Sequence, residues 1–260
     1  MAEFTSYREG VPSWTDLMAA DVAGARAFYG SLLGWEFVDG PPETGGYAIC
    51  TLRGKAVAGL GGQNPDAPPQ VVWTTYFATD AVEATIAKIT ANGGAVLMGP
   101  MDVMDQGRMA IAQDPTGAVF GLWQAGAMTG AQLANEPGSM SWNELMTRDL
   151  EAAKRFYAAV FGYEYEAVDP DGMRYEVFST PGHGQTGGMM EAPADLPAEV
   201  PPHWNVYFSV EDVDAAVATV NGAGGRVLFG PDDTPYGRMA AVMDPQGATF
   251  TVIRPPAAQG

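Results

Sequence analysis

The chain contains few of the residues that usually form cross-links and metal sites. Of its 260 residues, one is cysteine and two are histidine. A single cysteine excludes an intrachain disulfide and a cysteine cluster that could hold a metal. Because Cys50 ends the apolar run Tyr47–Cys50, we expect it to be an inert thiol in the core.

Basic residues are also scarce. Thirteen Lys and Arg stand against 31 Asp and Glu, which gives a formal net charge of −18. Because basic residues are this few, they cannot form a large basic face. Nucleic acid and anionic membrane surfaces are therefore poor candidate partners. No segment approaches the roughly 18 apolar residues of a membrane span, and residues 1–10 lack the apolar core of a signal peptide. We therefore expect a soluble cytoplasmic protein whose acidity favours solubility or weakly attracts cationic ligands.

The chain does contain an internal duplication. The stretch Trp14–Met18 recurs as Trp142–Met146, 128 residues later. In both copies a Trp, an acidic residue and Leu-Met are followed by an Asp helix start, a Phe-Tyr pair and a Gly helix stop. We predict two domains, residues 1–125 and 139–260, joined by a Gly/Ala-rich linker at 126–138.

Each half contains two similar units. Alternating apolar residues predict strands, and helical spacing after Asp21 and Asp149 predicts helices that begin at these N-caps. The sequence Asp-Pro-x-Gly, at 114 and 244, suits a tight turn between the last two strands of each half. Because of their prolines, we expect residues 64–70 to be a linker. The pattern predicts an α+β fold of four βαβββ modules in tandem.

This layout resembles the vicinal oxygen chelate superfamily of glyoxalases, bleomycin-resistance proteins and extradiol dioxygenases. The resemblance rests on the Asp…Phe-Tyr…Gly helices, the Gly-Gly helix stops and the two Asp-Pro-x-Gly turns, and it spans about residues 12–254. It is greatest to tandem-domain actinobacterial members labelled glyoxalase-like or hydroxylase. The resemblance implies modules paired into two half-open barrel cavities, formed either within a repeat or by exchange of modules between repeats.

The resemblance also locates the slots where related enzymes carry His and Glu ligands of a divalent metal. In this chain the slots fall at Trp14, Gly59, Thr74 and Gly121 in the first repeat, and at Trp142, Gly187, Asn205 and Thr251 in the second. None of these is His, Asp or Glu. The two histidines, His183 in a turn and His203 two residues from a slot, lack partners in the pattern. We expect no metal site and no other cofactor.

Alternation along the strands predicts which side chains face each cavity. The predicted ligand-binding set is Trp14, Asp16, Met18, Thr74, Tyr76 and Trp123 in the first repeat, and Trp142, Glu144, Met146, Met189, Asn205, Tyr207 and Thr251 in the second. Ala78, Ser209, Ile253 and Met190 are expected beside them. Such an aromatic, Met-rich face suits a flat aromatic ligand, although the same residues could form plain core.

The two carboxylates on these faces separate the functional hypotheses. Buried without a partner, Asp16 and Glu144 would be costly, so a ligand, water, or an arginine such as Arg108 or Arg238 must satisfy them. One hypothesis is metal-independent sequestration of a small aromatic natural product, as in antibiotic resistance. The alternative is a metal-free tailoring enzyme that oxygenates, cyclises or isomerises an aromatic polyketide, with Asp16 or Glu144 as general base. A glyoxalase or dioxygenase with unusual ligands is a third. We expect a monomer or a weak homodimer.

Overall fold

The computed structural model describes residues 3–63, 71–168 and 174–256, so the predicted linker at 64–70 lies outside the described residues. The first sheet contains β1 (Pro12–Ala19), β2 (Glu36–Asp39), β3 (Ala48–Leu52), β4 (Lys55–Gly62), β5 (Trp73–Ala78), β6 (Ala95–Val103), β7 (Gly107–Gln113) and β8 (Val119–Ala125). Its helices are α1 (Val22–Leu33) and α2 (Val82–Ala91), and Pro42–Thr44 forms a short 3₁₀ turn.

The second repeat has the same order of elements. Its strands are β9 (Met140–Thr147), β10 (Glu164–Val168), β11 (Tyr175–Ser179), β12 (Gln185–Glu191), β13 (His203–Ser209), β14 (Arg226–Thr234), β15 (Gly237–Met243) and β16 (Thr249–Arg254). Its helices are α3 (Leu150–Phe161) and α4 (Val213–Gly222). The predicted α+β fold of four βαβββ modules is confirmed.

The predicted helix ends are also found. The Asp21 carboxylate accepts a hydrogen bond of 3.0 Å from the Gly24 amide at the start of α1, which satisfies one of the free N–H groups of the first turn. Gly34 ends the helix in the left-handed region at φ 71°, where a residue without Cβ is favoured. Asp149 and Gly162 do the same for α3.

Each sheet is built within one repeat. Across the first sheet the strand order is β2-β3-β4-β1-β5-β8-β7-β6, and the second sheet repeats it as β10-β11-β12-β9-β13-β16-β15-β14. The first strands of the two modules, β1 and β5, pair antiparallel, as β9 and β13 do. Neither sheet mixes strands of the two repeats, which decides between the two arrangements that the resemblance left open.

The hydrophobic cores, by contrast, combine the two repeats. Phe28 of α1 is buried in one cluster with Phe208 and Phe250 of the second sheet, and Phe156 of α3 is buried in another with Phe120 of the first. The helices therefore pack between one face of each sheet and the partner repeat. The opposite face of each sheet carries the predicted sites. We call these two faces the first and second concave faces, after the half-open barrels that the family resemblance implies.

The prediction that Cys50 lies in the core is confirmed. Cys50 is fully buried in the first core cluster, and burial raises the pKa of its thiol well above the usual range. Such a thiol is unreactive. No helix in the described ranges is both long and apolar enough to cross a membrane.

Residues 126–134, predicted as part of a linker, form a strap across the first concave face. The Trp123 indole donates a hydrogen bond of 2.9 Å to the Met128 carbonyl. The Ala131 amide donates one of 2.8 Å to the Ser13 carbonyl, and Ala131 is fully buried. The Tyr7 hydroxyl donates a hydrogen bond of 2.6 Å to the Ala131 carbonyl.

Candidate functional site

The strand register brings the predicted residues of the first repeat together. Asp16 of β1 lies beside Gly59 of β4 on one side and Thr74 of β5 on the other. One step along the face, Trp14 lies beside Tyr76. Directly paired residues point to the same side of a sheet, so these side chains share the first concave face.

Asp16 is buried on that face and is hydrogen-bonded to two phenols. Its Oδ2 accepts hydrogen bonds of 3.2 Å from the Tyr47 hydroxyl and 3.1 Å from the Tyr76 hydroxyl. The Trp14 indole donates in turn to the Tyr47 oxygen at 3.1 Å. The other carboxylate oxygen, Oδ1, is buried and has no hydrogen-bond partner among the described residues. Asp16 itself is 4% exposed.

Two glycines make room for this arrangement. A Cβ on Gly59 would lie 1.7 Å from the Tyr47 hydroxyl oxygen, and one on Gly121 would lie 2.1 Å from the Tyr76 ring. Real side chains do not approach this closely, so a larger residue at either position would displace a phenol. Two of the slots where related enzymes carry metal ligands are therefore glycines that seat tyrosines.

The second repeat has the same arrangement with Glu in place of Asp. Glu144 is 6% exposed, and the hydroxyls of Tyr175 and Tyr207 lie close enough to favour its charged form. The Trp142 indole donates to the Tyr175 oxygen at 2.9 Å. A Cβ on Gly188 would lie 1.9 Å from that oxygen. This repetition shows that the Trp–Tyr–carboxylate–Tyr group is a built feature of the fold.

Burial dominates the electrostatics of both carboxyls. It raises the pKa of Asp16 to about 7, although the hydrogen bonds from Tyr76 and Tyr47 act in the opposite direction. The pKa of Glu144 is raised for the same reason, again opposed by its two tyrosines. Removal from water disfavours the charged form, whereas hydroxyl donors favour it. The Asp16 carboxyl therefore titrates near neutral pH.

Two of the four phenols, Tyr47 and Tyr175, are not among the residues predicted from the sequence. They lie 128 residues apart, which is the same offset that relates Trp14 to Trp142. That shared offset was the available signal. The expectation that Arg108 or Arg238 could satisfy the carboxylates is wrong, because both pair with exposed acids of their own repeat: Arg108 with Glu83 and Asp102, and Arg238 with Asp214 and Asp233.

Two other residue assignments need correction. Met189 pairs with Leu145 and is fully buried in the helix-side core, so it does not face the second cavity. Met190 pairs with Met146 and does. The slot assigned to Gly187 belongs to Gly188, which lies beside Glu144, since a shift of one residue moves a side chain to the other face.

The two concave faces differ in how far they are covered. In the first, Trp14, Tyr76 and Trp123 are buried together with Ala131 of the strap. In the second, Trp142 and Met146 are only half-buried, and Ile253 occupies the place of Trp123. Of the other predicted contact residues, Met18, Thr74 and Asn205 are half-buried, whereas Ala78, Ser209 and Thr251 are buried.

One exposed aromatic residue on the second face was not predicted. The register runs from Tyr207 to Thr251, from Thr251 to Ala241, and from Ala241 to Phe229. Phe229 thus belongs to the row that contains Trp142 and Tyr207, and its side chain is 62% exposed. The second face therefore carries accessible aromatic surface on both sides of Tyr207.

The side chains present do not fit a divalent metal. In the described parts of the chain, no three His, Cys, Asp or Glu residues converge. Among the described residues, each of these faces has one carboxylate, Asp16 or Glu144, whereas such ions need several N or O ligands converging on one point. His183 is exposed, and Nδ1 of His203 lies 2.8 Å from the Pro201 carbonyl.

Fold and duplication together define the class of protein. The model of the Glyoxalase/Bleomycin resistance protein/Dioxygenase superfamily matches residues 12–122 and again residues 138–252. The chain belongs to this superfamily, as the sequence resemblance predicted.

Two relatives cover nearly the whole chain. A protein of Mycobacterium tuberculosis that carries the provisional name glyoxylase CFP32 is 44% identical over 261 residues, which is 98% of each chain. The anthracycline biosynthesis protein DnrV of Streptomyces peucetius is 38% identical over 263 residues, covering 96% of this chain and 94% of that protein.

Solved structures with the same fold include a glyoxalase and a dioxygenase. The Mn(II)-bound glyoxalase of Novosphingobium aromaticivorans matches with a TM-score of 0.63 at 18% identity, over 97% of this chain and 87% of that one. The 2,2',3-trihydroxybiphenyl 1,2-dioxygenase of Sphingomonas wittichii matches with a TM-score of 0.64 at 13% identity, over 95% and 91%. At these identities the likeness concerns the fold alone.

Proposed function

We propose that the protein binds a planar aromatic natural product on its second concave face, without a metal. The observation that carries this proposal is the buried Glu144 carboxylate, which lies near the hydroxyls of Tyr175 and Tyr207 and beside the half-exposed Trp142. An indole offers a flat apolar surface for stacking, and a fixed acidic group orients a ligand that carries a hydrogen-bond donor or a positive charge.

The chemistry of the second face supports this ligand class. Trp142, Met146 and Phe229 are accessible apolar side chains on one face, and Met adapts to irregular ligand shapes. Asn205, whose amide donates to the Thr251 hydroxyl at 2.8 Å, adds a polar group beside Glu144. DnrV is named for anthracycline biosynthesis, and anthracyclines are aromatic polyketides, so we take an anthracycline as the first candidate.

The first concave face does not take part in this binding. Its Trp14 and Tyr76 are covered together with Ala131 of the strap. We therefore expect one ligand per chain. The predicted cytoplasmic location, the lack of a nucleic-acid or membrane partner and the monomeric or weakly dimeric state belong to the proposal as well.

One observation favours a second candidate, a metal-free tailoring enzyme. Burial raises the pKa of Glu144, and a carboxylate with a raised pKa is a better general base near neutral pH. The base would remove a proton from a carbon or hydroxyl of the aromatic ligand. Binding remains the first candidate because the two neighbouring phenols favour the charged form of Glu144, which opposes the rise in its pKa.

Calorimetric titration with an anthracycline tests the proposal. The wild type is expected to bind one equivalent, and Glu144→Gln to bind it more weakly by about tenfold or more, the worth of a charge-assisted hydrogen bond. Asp16→Asn, the same change on the covered face, serves as the matched control and is expected to bind like wild type. Product analysis by mass spectrometry in the same samples separates binding from turnover.

A further inference from the structure

One edge strand of the second concave face, β14, presents an acidic residue beside an aromatic one. Asp232 pairs with Met239, and Met239 pairs with Ile253. Directly paired residues point to the same side of a sheet, so Asp232 lies on the face that contains Ile253. Phe229 precedes it on the same strand and the same face, and both side chains are exposed. The strand therefore offers an aromatic ring and a carboxylate next to each other.

The next residue along β14 is also acidic but points to the opposite side. Asp233 pairs with Arg238 in the strand register, and its Oδ1 forms an ion pair of 3.3 Å with the Arg238 guanidinium. Within the described part of the chain, Asp232 has no such ion pair. An arginine thus neutralises one of the two consecutive carboxylates, while the other keeps its charge on the ligand face.

The first repeat lacks this acid. The position equivalent to Asp232 is Met101, which pairs with Met109 as Asp232 pairs with Met239. Met101 is exposed as well, so the two positions differ in chemistry and not in accessibility. The acid is therefore specific to the face on which we propose that the ligand binds.

The opposite edge of the second concave face is acidic too. Glu166 of β10 pairs with Val177, and Val177 pairs with Gly188, which lies beside Glu144. Glu166 is exposed, and its equivalent in the first repeat is Val38. The second face thus has a carboxylate on each edge strand in addition to Glu144. Such an arrangement attracts positive charge from solution.

A basic residue at the far end of β14 shows where that charge is favoured. Arg226 pairs with Met243, and its guanidinium donates to the Met243 sulfur at 3.3 Å. Phe229 lies between Arg226 and Asp232 along the strand. Because like charges repel, a positively charged group of a ligand is favoured at the Asp232 end of β14.

We propose that the second concave face selects an aromatic ligand that carries a positively charged group, and that Asp232 is the specificity-determining residue that contacts this group. The inference rests on the proposed function, in which the aromatic part of the ligand binds at Trp142. The ring of Phe229 offers its face to the same cation. Exposed ion pairs are modest in energy, so Asp232 decides between charged and neutral ligands more than it sets the overall affinity.

The probes are an anthracycline with a free amine and the same compound with that amine acetylated, which removes the positive charge and keeps the aromatic rings. In calorimetric titrations at low ionic strength, the wild type is expected to bind the free amine about three- to fivefold more tightly. Asp232→Asn is expected to bind both compounds with the affinity of the wild type for the acetylated one. Asp233→Asn, the same change at the next residue, is the matched control and is expected to keep the wild-type preference.

The possible results separate this inference from the proposed function. Equal affinity of the wild type for the two compounds would overturn the inference and leave aromatic binding intact, whereas failure of both compounds to bind would overturn both. The assignment to Asp232 is overturned if Asp232→Asn keeps the preference, or if Asp233→Asn or Glu166→Gln removes it as completely. Because Asp232 is exposed, its variant is expected to keep the wild-type melting temperature. Added salt is expected to reduce the preference, since exposed charges are screened.

Discussion

The Tyr29 hydroxyl donates a hydrogen bond of 3.0 Å to Oδ2 of Asp244, so the first helix of one repeat is joined to the last turn of the other. The same relationship holds in reverse, where the Tyr157 hydroxyl donates to Asp114 at 3.1 Å. Each of these phenols also accepts a bond from a tryptophan. Two equivalent buried hydrogen-bond networks thus connect the repeats. The helices that contain Tyr29 and Tyr157 also pack against the helix-side faces of the sheets.

Removing one of these hydroxyls should destabilise the whole chain. Tyr29→Phe keeps the ring but leaves the Trp73 indole N–H without its 3.1 Å acceptor and removes a donor from Asp244. The expected loss is about 1–3 kcal/mol in the free energy of unfolding, since buried polar groups are left unpaired. Urea denaturation followed by circular dichroism measures it. Tyr236→Phe, at an exposed ring, is the control, and a Tyr29→Phe midpoint equal to wild type would refute the structural role.

The glycines under the tyrosines should not tolerate a methyl group. Gly188→Ala places a Cβ against the Tyr175 hydroxyl, so the phenol must move away from Glu144. We expect a loss of about 1–3 kcal/mol in stability from overpacking and weaker ligand binding at the second face. Gly222→Ala is the control, because a Cβ there would contact nothing within 4 Å. Thermal melts and ligand titrations compare the two variants. Equal melting temperatures and equal ligand affinities would contradict the claim that Gly188 makes room for Tyr175.

Stability should fall as the Asp16 carboxyl ionises. Its pKa is raised from 3.8 to about 7 in the folded chain, so between these values the folded state binds more protons than the unfolded state. The contribution of Asp16 is therefore fully present below pH 3.8 and is lost as pH rises through 7, by on the order of 4 kcal/mol. Unfolding free energies of wild type and Asp16→Asn, measured from pH 4 to 8, should diverge in this direction. A pH-independent difference would show that Asp16 is not the titrating group.

The strap should depend on Gly130. This residue has φ +122°, and a Cβ would lie 2.5 Å from the Ser13 carbonyl oxygen, the acceptor of the Ala131 amide. Gly130→Ala is therefore expected to lift the strap and to raise the hydrogen-exchange rate of the Ala131 and Gln132 amides by at least about tenfold, equivalent to 1.4 kcal/mol. The control is Ala127→Ser, because Ala127 is exposed. Gly126→Ala is not a suitable control, because a Cβ at Gly126 would also clash with backbone atoms. Unchanged exchange in Gly130→Ala would contradict the described docking.

The sequence alone predicted much of this molecule because its main signals are local. Helix caps such as Asp21 and Gly34 act within a few residues, and alternation along β1 puts Trp14 and Asp16 on one face. Because the chain is duplicated, each of these local patterns occurs twice. The positions where related enzymes carry metal ligands could be compared one by one with this sequence. That comparison predicted faces without metal ligands.

The missed features depend on contacts that are distant in sequence. Tyr47 reaches Asp16 only because β3, β4 and β1 are neighbours in that order, which no local pattern reports. Met189 and Met190 are consecutive, so alternation allows only one to face the cavity, and the pairing with β9 decides which. The strap is rich in Gly and Ala without periodicity, and its structure comes from the first sheet, on which it docks.

The central claim is that an aromatic ligand binds at Trp142 and not at its equivalent in the first repeat. The chain has six tryptophans, so a ¹⁵N-indole NMR spectrum reports each site separately, once Trp142→Phe and Trp14→Phe have assigned two of the signals. Titration with an anthracycline is expected to shift the Trp142 indole resonance, whose N–H is bonded to Tyr175, and to leave that of Trp14 in place. A shift at Trp14 without one at Trp142, or no indole shift at saturating ligand, would contradict the account.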